Sequence, residues 1–144
     1  MKTKKIQLKA ELKDFGQQKT ISIFVGDAES QQLALLLLLL REKLVDTIEI
    51  MLDNFVVYLK LNDENRSICS LFNLTKKSFK GSISMNTLEY AIYFLLKYFR
   101  DEMAPVEHID LDFEYDNDSI ITLVIKVHAY NEISQEEMNK LLGL

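Results

Sequence analysis

Residues 33–40, reading LALLLLLL, constrain this chain more than any other stretch. The run is far below the roughly 18 to 20 apolar residues needed to span a bilayer, and Arg41, Glu42 and Lys43 close it. At helical spacing Leu33, Leu36 or Leu37, Leu40 and Leu44 make one buried stripe. Leu35, Leu38 and Leu39 carry apolar surface around the remaining sides. Asp27 is the expected N-cap, with Glu29 in the first turn at the positive end of the helix dipole. The helix is expected over residues 28 to 44 or 45. A helix that is apolar all round its middle has to be covered on more than one side. Either the fold sandwiches it, or Leu35, Leu38 and Leu39 form the interface of a homodimer.

On both sides of this helix the period changes from 3.6 to 2. The basic start, Met1-Lys2-Thr3-Lys4-Lys5, runs into Ile6, Leu8, Ala10 and Leu12 alternating with polar residues, which is a strand pattern and not a signal peptide. Residues 4–26 read as a hairpin turning at residues 15–18. Opposing Leu12 with Ile21, Ala10 with Ile23 and Leu8 with Val25 keeps both apolar sets on one face, and a one-residue slip would reverse it. Residues 47–52 and 55–61 form two further strands around Asp53-Asn54; the competing reading continues the helix through Met51. A third strand follows at 68–74, then a loop over 75–82.

Ser84 or Asn86 caps a second helix, with Glu89 completing a capping box three residues after Asn86. Leu88, Ala91, Ile92, Leu95, Leu96 and Phe99 form its buried side, and Pro105 lies beyond its end. Its tyrosines and phenylalanines read as core and amphipathic rim. Strands at 109–115 and 119–130 and a short helix at 135–142, capped by Ser134, complete the chain. The resulting order is ββα-βββα-ββα. It describes an α+β fold, an antiparallel sheet built from hairpins with two main helices on one face and a short C-terminal helix. At 144 residues it is read as one domain over 1–144.

Charge locates a candidate surface. Seventeen Lys+Arg against 22 Asp+Glu give a net −5, so no nucleic-acid partner is expected for the chain as a whole. Residues 1–72 carry ten basic and ten acidic side chains, whereas residues 73–144 carry seven and twelve, so the surplus lies in the second half. On a strand, Ile109, Leu111, Phe113 and Tyr115 face the core. His108, Asp110, Asp112, Glu114 and Asp116 then face the other way, about 7 Å apart along the strand. Pairing with the following strand sets Lys126 across from His108. Such a row is an ordinary solvated sheet face, or a docking surface on which a basic protein relieves the repulsion among the carboxylates.

Other chemistries find little support. The alternating acids lack the glycine of a calcium loop, and the twelfth position from Asp110 is Ile121, so the EF-hand reading fails. His108 and His128, with Asp110, are ordinary surface residues before they are metal ligands. Cys69, the single cysteine, has no base placed beside it and fits a reducing compartment. The basic loop Lys76-Lys77-Ser78-Phe79-Lys80-Gly81-Ser82 reads as solvated. No phosphate-loop, dinucleotide, nucleophile-elbow or zinc-protease motif is present. No catalytic residue, metal site or cofactor is therefore assigned. The expectation is a cytoplasmic, non-enzymatic protein-binding domain, of which an inhibitor or immunity-type protein is an example. Its partner-binding residues are His108, Asp110, Asp112, Glu114, Asp116 and Lys126. The alternatives are a self-associating assembly protein, and a small ligand-binding protein or enzyme without a linear motif.

Overall fold

The computed structural model describes residues 3–7, 9–15, 18–52, 55–73, 77–101, 108–116, 119–127, 139–140 and 142–143. Three strands, β1 (Thr3–Gln7), β2 (Lys9–Phe15) and β3 (Gln18–Val25), precede helix α1 (Asp27–Arg41). Four strands follow: β4 (Thr47–Leu52), β5 (Phe55–Leu61), β6 (Ile68–Asn73) and β7 (Ser78–Ile83). Helix α2 (Met85–Asp101) then leads to β8 (His108–Tyr115) and β9 (Ser119–Val127). Fold class is thus mixed α and β, and residues 47–52 are strand rather than helix. Of the expected C-terminal helix, Asn139, Lys140 and Leu142 are helical and the rest lies outside the described residues. No described helix is long and apolar enough to cross a membrane.

The local hairpins form about their expected turns, but the one expected over residues 4–26 does so only from Lys9 onward: β1 pairs parallel with β4 instead, and Leu8, expected opposite Val25, lies outside the described residues. Ala10 opposes Ile23 and Leu12 opposes Ile21 in the β2–β3 pair, and His108 opposes Lys126 in the β8–β9 pair. The expected order and the all-antiparallel sheet are corrected. β7 occupies part of the expected loop, with Phe79, Gly81 and Ile83 pointing inward at alternate positions. A glycine in mid-strand and the lysine beside it mask that pattern in the sequence. The sheet is mixed, in the order β1-β4-β5-β7-β6-β8-β9-β3-β2. Each hairpin is antiparallel, and each join between hairpins, β1–β4, β5–β7, β6–β8 and β3–β9, is parallel.

This order hides a repetition. β1 and β2 lie at the two ends of the sheet yet are separated in sequence by residue 8 alone, so one run of chain serves both ends. Counting that run as one strand, the chain comprises two successive ββαββ units. In each, the first strand pairs antiparallel with the second and parallel with the third, and the third pairs antiparallel with the fourth. The units join through β5–β7 and β9–β3, both parallel. The β6–β8 join is the weakest, with one registered pair, Ile68 opposite Glu114, and a bond from the Glu114 amide to the Ser67 carbonyl at 3.0 Å.

One apolar core unites the inward residues of the strands with Leu33, Leu36, Leu37 and Leu40 of α1 and Leu88, Leu95 and Tyr98 of α2. The two helices also pack on each other, so they do not simply cover separate parts of a sheet face. α1 is shorter than expected. Gly26, not Asp27, is its N-cap, and Asp27 is its first residue. At the other end Lys43 takes φ 60°, the Lys43 amide donates to the Leu40 carbonyl at 3.1 Å and the Leu44 amide to Leu39 at 3.0 Å. This is a Schellman closure built on lysine instead of glycine. It ends the helix at Arg41 and leaves Leu44, expected in the core stripe, 64% exposed. For α2, Ser84 is the cap: its Oγ accepts from the Thr87 amide at 3.4 Å and bonds the Thr87 hydroxyl at 2.9 Å.

Candidate functional site

Strand β8 separates its two faces cleanly. Ile109, Leu111 and Phe113 are buried, while His108, Asp110, Asp112 and Glu114 are exposed. Four of the six predicted residues, His108, Asp110, Asp112 and Glu114, therefore share one row, and each of its three carboxylates has a neighbour. His108 Nε2 lies 3.6 Å from Asp110 Oδ1. The Thr122 hydroxyl, directly opposite, donates to Asp112 Oδ1 at 2.7 Å. Arg66, on the loop before β6, sets its guanidinium 3.4 Å from Glu114 and 3.5 Å from Glu64. Lys126 stands opposite His108, but its ammonium lies 5.4 Å from the ring centroid of Phe24 on β3 and turns away from the carboxylates. Asp116 follows the strand in a turn, with φ 56°. His128 lies outside the described residues.

No group of three or more His, Cys, Asp or Glu side chains among the described residues is placed to hold a metal ion. Cys69 sits in the core beside a bulge of β6, where Leu71 replaces the next residue in register with β7. Its thiol donates to the Leu71 carbonyl at 3.3 Å. Burial pushes that thiol up from 9.0 to about 11; the Leu71 bond works against the rise and the negative charge of Asp116 adds to it. A thiol so held is protonated at neutral pH, the opposite of an activated nucleophile.

The leucines assigned to an interface part company. Leu35 is 57% exposed, whereas Leu38 and Leu39 are half-buried against the core. On α2, Tyr90, Tyr93 and Leu96 are exposed, and Phe94 and Tyr98 are buried. Leu96, read as core, is in fact on the outer side.

A second feature lies elsewhere on the sheet. The outer faces of β4, β5, β7 and β6 enclose a groove of about 430 Å³ lined by Thr47, Glu49, Tyr58, Lys60, Ser70 and Lys80. Tyr58 and Lys80 are registered partners across the parallel β5–β7 join, and the Lys80 ammonium lies 5.7 Å from the Tyr58 ring centroid. Glu49 is engaged by Lys5 at 3.6 Å. Tyr58 and Lys60, two residues apart on a strand, advertise a shared face. Lys80 joins them only once β7 is recognised and its parallel register known, and neither is written in local periodicity. No family model matches this chain, and neither a curated protein nor a solved structure matches it.

Proposed function

We propose that this chain is a non-enzymatic protein-binding domain that presents the outer face of β8 to a basic protein, as an inhibitor of such a protein would. The supporting observation is the contact of Arg66 with Glu114 at 3.4 Å. One guanidinium from the chain itself already sits on this row, which supports reading the row as an acceptor of basic groups. Asp110 and Glu114, with side chains 55% and 52% exposed, keep acceptor capacity for more. Carboxylates spaced about 7 Å apart repel one another in the free protein, and a partner's arginines and lysines relieve that repulsion. Exposed pairs contribute little affinity each, so the charge acts chiefly on the rate of encounter and on the choice of partner.

The test is titration with an oligoarginine peptide followed by NMR. The expected result is salt-sensitive binding with shifts concentrated on the amides of residues 108–116. Combining Asp110→Asn, Asp112→Asn and Glu114→Gln should weaken it by about tenfold or more while leaving the melting temperature within a few degrees. Binding unaffected by these three changes would end the proposal.

A further inference from the structure

The groove over β4, β5, β7 and β6 lies on different strands from the acidic row and has the opposite charge. We propose that it binds a small anion carrying a planar ring, of the nucleoside monophosphate class, with Lys60 and Lys80 holding the phosphate and Tyr58 the ring.

Among the described residues the positive charge there is uncompensated. Glu49 is the carboxylate among the lining residues, and Lys5 engages it. Among the described residues no carboxylate meets Lys60 or Lys80 at ion-pair distance. Lys60 opposes Ser82, and Lys80 opposes Tyr58, across the same parallel join. The two lysines are therefore diagonal neighbours on one face, with Cβ atoms about 7 Å apart. That spacing lets two ammonium groups converge on one phosphate, which carries about −1.5 to −2 at neutral pH. The contrast with the chain's net −5 makes the patch the more distinctive.

The aromatic supplies the second half of the recognition. Tyr58 is half-buried, and Lys80 covers its ring as a cation–π partner. When the Lys80 ammonium turns to a phosphate, the ring face it leaves is free to stack on the ligand's ring. A volume of about 430 Å³ suits a ligand of nucleotide size.

The other join between the two units supplies a comparison. There Lys126 and Phe24 are registered partners and also form a cation–π pair, at 5.4 Å. Around them Ser22, Thr122 and Val124, on the same outer face, are buried. The lysine–aromatic pair is thus common to both joins, but the groove and the second lysine belong to the β5–β7 join.

Titration with adenosine 5′-monophosphate, inorganic phosphate, adenosine and oligo(dA), each followed by NMR, tests the proposal. Saturable shifts with the monophosphate are expected, centred on the amides around Tyr58, Lys60 and Lys80, with phosphate and adenosine each about tenfold weaker or more. Lys60→Gln and Lys80→Gln should each weaken the monophosphate by about tenfold, and Tyr58→Leu should reduce it to the level of phosphate. Tyr58→Phe, which keeps both the ring and the strand packing, should retain binding and guards against misfolding. No saturation by about 10 mM monophosphate would overturn the proposal. So would equal affinity for phosphate alone, which removes the ring, or much tighter binding of oligo(dA), which makes the groove a track for a strand.

Discussion

Phe79 and Phe113 meet edge to face, their ring centroids 5.2 Å apart and their planes at 83°, in the space that Gly81 leaves by having no side chain. A Cβ on residue 81 would stand 2.7 Å from Phe79 Cε1 and 2.9 Å from Phe113 Cε2. Both rings are fully buried, so neither can yield without disturbing the packing between β7 and β8. Gly81→Ala should therefore destabilise the protein by about 1–3 kcal/mol, the usual range for overpacking. Urea denaturation checks it, and an unchanged midpoint would show that the rings relax freely.

Lys43 holds a left-handed conformation that costs a residue with a side chain about 1 kcal/mol relative to glycine. The side chain is exposed, so little packing is lost on its removal. Lys43→Gly should stabilise the folded state by about 0.5 kcal/mol after the added freedom of the unfolded chain is counted. Thermal melts of the two proteins should differ by a small rise; a fall would mean that Lys43 makes a contact that matters more than its backbone.

The same residue shows what could be read in advance and what could not. Leu33, Leu40 and one of Leu36 and Leu37 are recognisable as core because helical periodicity is local, and the structure buries both of the last two. The end of α1 is not legible in this way, because a helix stop signal is normally a glycine and here it is a lysine. Pairings within hairpins, such as Ala10 with Ile23 and His108 with Lys126, follow from alternation and short turns. Tyr58 beside Lys80 does not, because those residues meet through a parallel join between separate hairpins, whose register no local pattern records. The acidic row was legible since it occupies one strand. The basic groove was not, since its lining comes from four.

Arg66, Glu114 and Ser67 tie together the join with the fewest bonds. β6 and β8 share one registered pair, whereas β8 and β9 share eight. Local opening should start there, since sheet segments with few backbone bonds part at lower free energy than the bulk of the fold. Native-state hydrogen exchange should find the Glu114 amide, which donates to Ser67, less protected than the β8 amides bonded to β9. Arg66→Ala should widen that difference. Equal protection on the two sides of β8 would mean that the sheet opens only as a whole.

Cys69 gives the fold a pH dependence of definite sign. Its folded-state pKa, about 11, lies above the ordinary 9.0 because burial penalises the thiolate, with the charge of Asp116 adding to the rise. Between those values the native state keeps a proton that the unfolded chain has lost. The contribution is thus fully present below pH 9 and declines as pH rises toward about 11. The measurement is the difference between the protein and its Cys69→Ala variant, followed by urea denaturation across that window. The parent should lose stability faster than the variant, and parallel curves would show that the thiol is not held protonated. A thiol-directed reagent supplies an independent check. At pH 8 the folded protein should react far more slowly than the urea-unfolded chain, because both burial and protonation withhold the thiolate.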